Sequence, residues 1–172
     1  MKKFLVLLGI IVLFVACDYA KESTELYPDV EITYMNPIGW YTSDGDTVVA
    51  ATIEQINFVP ENSVDCYLTK VIWEYYDEGN NIFYGPEEMA LYLKIEGKVD
   101  EESCSDTFYI YNLQLPLAPV WYHLDAGQSA EARLHFVFVD EYWGSRTDTV
   151  TAWFGFYMWP DSTGAIVPEQ IH

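Results

Sequence analysis

A chain of 172 residues with 8 Lys and Arg against 27 Asp and Glu carries a formal net charge of −19. Nucleic acid is repelled by such a body, and anionic lipid headgroups are disfavoured in the same way. An aromatic content of 17% argues against disorder, because disordered chains lack the rings that build a core.

Lys2 and Lys3 open the chain, and from Phe4 to Val15 every residue is apolar or Gly. A run of about 12 such residues has the length of a secretory h-region. A spanning helix needs about 20. Ala16 then precedes Cys17. Phe14-Val15-Ala16-Cys17 resembles the lipobox of bacterial lipoproteins, with Phe14 where Leu is usual. The resemblance implies that residues 1–16 are a signal peptide. It also implies that Cys17 is lipidated, with a thioether-linked diacylglyceryl group and an N-acyl chain. Each buried CH₂ contributes about 0.8 kcal/mol, so more than one chain anchors stably. The expected address is therefore the cell envelope, with the exported chain lipid-anchored to a membrane. An ordinary signal peptide cleaved near a cysteine is the alternative.

Residues 17–29 are expected to be the lipidated Cys and a flexible polar tether. Residues 30–172 have the length of one domain. Runs rich in Val, Ile, Thr, Tyr, Phe and Trp alternate with turn residues. They predict strands at Val30–Asn36, Thr47–Val59, Cys66–Tyr76, Met89–Val99, Thr107–Leu115, Ala130–Asp140 and Thr147–Met158, with a short one near Ile82–Tyr84. No segment shows a sustained helical period.

The last two runs carry the clearest pattern. Ala130, Ala132, Leu134, Phe136 and Phe138 share one face, as do Val150, Ala152, Phe154, Phe156 and Met158. A hairpin through Glu141–Thr147 sets Phe136 against Val150, Leu134 against Ala152, Ala132 against Phe154 and Ala130 against Phe156. Small residues then meet large ones. On the other face Arg133 would lie beside Trp153, within reach of a cation–π contact. Met89, Leu91, Leu93, Ile95 and Val99 form a second apolar stripe; Val71, Trp73 and Tyr75 form a third.

Faces of this kind must be buried against another sheet, which predicts an all-β, antiparallel β-sandwich. Trp73 on a middle strand, the late hairpin and the stretch Leu124–Ala130 before it resemble immunoglobulin-like and fibronectin type III-like domains. A lipocalin-like barrel or a jelly roll is the alternative.

Cysteine arithmetic sets Cys17 apart from Cys66 and Cys104. An exported chain can meet an oxidising compartment, so Cys66 and Cys104 either pair or remain two free thiols. A bridge would add about 3–4 kcal/mol by constraining the unfolded chain.

Catalytic chemistry finds little footing. His123, His135 and His172 have no nucleophile partner at a recognisable spacing, and Gly-x-Ser-x-Gly does not occur. Neither Cys-x-x-Cys nor His-x-x-x-His occurs, so zinc is not expected. No cofactor is expected, with a weak case for calcium at Asp77-Glu78-Gly79-Asn80-Asn81 and Asp100-Glu101-Glu102. The EF-hand spacing is absent, and turn formation explains the same letters.

Three adjacent aromatic pairs, Trp40-Tyr41, Trp121-Tyr122 and Tyr142-Trp143, fall at expected loops. They are candidate binding aromatics, because neighbours on extended backbone face opposite ways and one ring of each must leave the core. The competing role is to cap the open ends of the sandwich. The functional expectation is a membrane-anchored, non-enzymatic binding or assembly lipoprotein whose partner is another envelope protein. The alternative is carbohydrate or small-ligand binding, with a glycan as partner.

Overall fold

The computed structural model describes residues 27–43, 46–99, 105–142 and 146–160. Among these, eight strands and one short helix follow in order. The first strands are β1 (Val30–Asn36), β2 (Gly39–Ser43), β3 (Ala50–Pro60), β4 (Cys66–Asp77), β5 (Ile82–Ile95) and β6 (Phe108–Pro116). Helix α1 (Ala118–His123) leads to β7 (Ser129–Asp140) and β8 (Thr147–Trp159).

The strands form two sheets, ordered β1-β3-β6 and β2-β8-β7-β4-β5. β3 pairs with β6 in one sheet and β4 with β7 in the other, so the chain alternates between sheets as a Greek key. That topology makes the fold an immunoglobulin-like β-sandwich. All pairs are antiparallel but one: β2 runs parallel to β8. This parallel edge arises because β1 and β2, separated by Pro37 and Ile38, continue one path that leaves the first sheet and joins the second.

The packing follows the sequence pattern closely. β7 alternates between partly exposed and buried residues along its whole length. Its register with β8 sets Phe136 opposite Val150, Leu134 opposite Ala152, Ala132 opposite Phe154 and Ala130 opposite Phe156, as the sequence predicts. Phe58 of the smaller sheet packs edge-on against Phe136 and Phe138 of the larger, with centroids 5.1 and 5.6 Å away. Val71 and Tyr75 are fully buried and Trp73 nearly so.

Several expectations require correction. β5 extends from Ile82 to Ile95, absorbing the short strand expected at Ile82–Tyr84. Of the stripe Met89 to Val99, only Ile95 is buried; Leu91 and Leu93 are half-buried, Met89 is exposed and Val99 is 91% exposed. The reason is position: β5 is the last strand of its sheet and pairs only with β4. Its Pro86, Glu87, Glu88 and Lys94 suit an edge that must not recruit another strand. Strand β2 and helix α1 were not expected. The helix has six residues, too few for a periodic signal, and begins with Pro119 in its first turn. Tyr27 and Asp29, read as the end of the tether, already touch the domain. Asn62 Nδ2 donates to the Tyr27 carbonyl at 2.7 Å, and the Glu61 amide to the Asp29 carbonyl at 2.8 Å.

Candidate functional site

The alternation of β8 that buries Phe154, Phe156 and Met158 turns Trp153, Gly155, Tyr157 and Trp159 outward. In register on the neighbouring strands lie Arg133 beside Trp153, Glu131 beside Gly155 and Tyr41 beside Tyr157. Tyr41, Tyr157 and Trp159 form an edge-to-face cluster with centroids 5.7–6.2 Å apart. Trp153 stands apart from them at 56% exposure.

Beside Trp153 the surface sinks into a cleft of about 650 Å³, lined from β8, β7 and the end of β4. Gly155 lies in its floor. Tyr76, Asn80, Glu131 and Arg133 form one wall, with Glu78 and Ser129 towards its end. Arg133 is held three ways. Its guanidinium lies 3.8 Å over the Tyr76 ring, Nε donates to Glu131 Oε1 at 2.8 Å, and Nη2 donates to Asn80 Oδ1. The Glu131 hydrogen bond raises the Arg133 pKa further. Arg133 therefore packs on Tyr76 rather than on Trp153, correcting the expected cation–π pair. Tyr76 Oη donates to Glu74 Oε2 at 2.6 Å, which pushes its phenol pKa up.

The rim is set by turn chemistry. Asp77 Oδ1 accepts from the Asn81 amide at 2.8 Å and from Asn81 Nδ2 at 3.1 Å, holding the Asp77 carboxyl below its ordinary pKa. Asn80 takes a positive φ of 60°, which Asn tolerates. Glu78 Oε1 accepts from both the amide and the hydroxyl of Ser129, each at 3.0 Å. The carboxylates weighed for calcium at Asp77 and Glu78 are thus bound to the protein itself; Asp100, Glu101 and Glu102 lie outside the described residues. Among the described residues no group of three His, Cys, Asp or Glu is placed to hold a metal.

Two smaller hollows lie at the same pole. One, of about 290 Å³, includes Asp77, His123 and Asp125. The other, of about 520 Å³, includes Phe83, Pro119, Tyr122 and His123. His123 stacks flat on Phe83 with centroids 4.0 Å apart. His135 Nδ1 lies 3.0 Å from Thr151 Oγ1, and His172 lies outside the described residues.

The aromatic pairs divide residue by residue. Trp40 belongs to β2 and Trp121 to α1, not to loops, and both pack against the core. Trp121 Nε1 donates to the buried hydroxyl of Thr42 at 2.7 Å. Their neighbours face solvent: Tyr41 is 73% and Tyr122 91% exposed. Tyr142 is exposed as well, and Trp143 lies outside the described residues. The tryptophans of the first two pairs pack against the core, while Tyr41 joins the outer aromatic face. Alternation along β8 marks Trp153 and Gly155 as outward residues, and the fold brings them into the cleft lining. Cys66 is a buried free thiol whose pKa burial pushes up to about 12. Cys17 and Cys104 lie outside the described residues, and no helix among those residues is long and apolar enough to cross a membrane.

No family model matches the chain, and neither does any curated protein. Among solved structures, Northeast Structural Genomics Consortium target SoR45 aligns at 12% identity and a TM-score of 0.41, covering 84% of this chain and 91% of that one. The periplasmic chaperone SfaE aligns at 6% identity and a TM-score of 0.37, covering 81% of this chain. The aligned part spans 61% of the chaperone's own length.

Proposed function

We propose that this chain is a lipid-tethered, non-catalytic binding protein of the cell envelope. In this reading it is held at a membrane through Cys17 and binds through the outer face of its larger sheet. The observation that carries the reading is the outer face of β8, where exposed Trp153 lines an open cleft and exposed Tyr41 and Trp159 stand on the same face of the sheet. Exposed rings gathered on one face and rimmed by polar groups suit recognition.

The polarity of the strands supports it. Val30 pairs with Pro60, and Glu141 bonds to Asp65, so the N-terminal side of the domain shares a pole with the β7–β8 turn. The cleft lies towards the other pole, where β4 turns into β5 and β8 ends. From Thr147 to Gly155 the rise along β8 is roughly 25 Å. A chain tethered before Tyr27 presents the cleft away from its anchor.

The test is intact mass of the protein from membranes of its own host, followed by its retention on washed envelope fragments. A chain beginning at Cys17 with added acyl mass, saturably retained on the fragments, is expected. An unlipidated chain cleaved elsewhere overturns the tether, and lack of retention overturns the binding role.

A further inference from the structure

We propose that the cleft over Gly155 is a binding site for a neutral oligosaccharide, with Trp153 as the platform for a sugar ring. This rests on the binding role above and names the ligand class.

Gly155 provides the first argument. A glycine inside a strand weakens it and needs a reason. Here the protein's own packing supplies none: a Cβ built on Gly155 meets nothing closer than the Ile38 carbonyl at 4.0 Å. Its neighbour Gly39 is different, because a Cβ there would lie 3.0 Å from the Gly155 carbonyl. Gly39 is required by the close approach of β2 to β8. What Gly155 does is leave space outside the sheet, between two outward aromatic positions.

Trp153 provides the second. Among the described residues no ring or cation packs on its indole; the nearest cation in register, Arg133, is drawn away over Tyr76. The C–H bonds on one face of a sugar ring carry partial positive charge and rest well on the negative face of an indole. Hydroxyls around the ring edge then need donors and acceptors close by. Arg133, Asn80, Glu131 and Glu78 supply both kinds, and the hydrogen bonds already described hold them in place. Positions fixed in advance reduce the ordering cost of binding.

Charge decides between ligand classes. Asp77, Glu78 and Glu131 outnumber Arg133 in the lining, so sulfated or uronic chains are repelled. A lysine-rich peptide would want carboxylates free to pair. Instead Asp77 is bound to Asn81, Glu78 to Ser129 and Glu131 to Arg133. A neutral polyhydroxylated chain satisfies both constraints.

The experiment is calorimetric titration of the full chain, purified in detergent, with neutral oligosaccharides derived from cellulose, starch, mannan, xylan and chitin. Oligogalacturonate and oligolysine serve as comparisons. At least one neutral oligosaccharide is expected to bind. Trp153→Ala should weaken it about tenfold or more, and Trp153→Phe less. Gly155→Leu fills the floor and should abolish binding while the melting temperature does not fall. Failure of every neutral oligosaccharide to bind the folded chain overturns the proposal, as does binding indifferent to Trp153→Ala and Gly155→Leu. Oligolysine binding that Gly155→Leu removes overturns it in favour of a cationic peptide. A lipidated chain retained on envelope fragments but blind to these sugars sinks this inference alone and leaves the broader role standing.

Discussion

The Tyr75 hydroxyl donates to the Pro116 carbonyl across 3.0 Å, joining β4 of the larger sheet to the end of β6 in the smaller. Tyr75 is fully buried and packs against Tyr84 and Phe156, so this bond reaches from the core to the half-buried end of β6. Tyr75→Phe keeps the ring and strands the carbonyl. Urea unfolding should show a loss of about 1 kcal/mol, the cost of a part-buried acceptor left without its partner.

Alkaline pH should destabilise the fold through two buried groups. Burial pushes the Tyr75 phenol above its ordinary 10.0 and the Cys66 thiol from 9.0 to about 12. Once pH passes the ordinary values, the unfolded chain loses these protons while the folded chain keeps them. Stability is therefore fully present below about pH 9 and falls as pH rises towards 12. Chemical denaturation from pH 8 upward checks this, with a shallower decline expected for Tyr75→Phe.

Iodoacetamide at neutral pH should leave Cys66 of the folded chain unmodified and label it after denaturation without reductant, because the buried thiol holds its proton. Failure to label in the denatured chain until reductant is added would establish a Cys66–Cys104 bridge instead.

The facing pair Ala132 and Phe154 fixes the volume between β7 and β8. Ala132 is fully buried, so Ala132→Leu has no room and should cost about 1–3 kcal/mol in thermal or chemical unfolding.

Gly39 and Gly155, opposite each other on β2 and β8, should respond in opposite senses to Ala. Gly39→Ala drives a methyl into a ladder carbonyl and should destabilise. Gly155→Ala meets open space and should stabilise by about 0.5–1 kcal/mol, the usual gain from removing a strand glycine. Melting temperatures of the two variants measure the difference.

How much was legible depended on how local the cause was. The β7–β8 register is written in alternating residues separated by one turn, and it could be read residue by residue. The stripe Met89–Val99 has the same alternation but lies at a sheet edge, and alternation cannot say whether a partner sheet covers a strand. β2 escaped notice because its partner β8 lies more than a hundred residues away and the pairing is parallel. The cleft suffered likewise. Trp153 was plain as an outward residue, but its neighbours Tyr76, Asn80 and Arg133 come together only through the β4–β7 pairing and the β4–β5 turn. Pairs adjacent in sequence are visible in it and rings adjacent in space are not, so the sequence points to Trp40 and Trp121, which the core claims.

The passage of β1 and β2 across both sheets also has a mechanical meaning. A pull on the N-terminal side of Val30 runs along the strand axis. It meets the β1–β3 ladder and, past Pro37, the β2–β8 ladder in series. Bonds pulled along a strand share the load in shear, whereas bonds pulled sideways open one at a time like a zipper. Load that arrives at the N-terminal side and is resisted at the β8 face is therefore borne by whole ladders, one in each sheet.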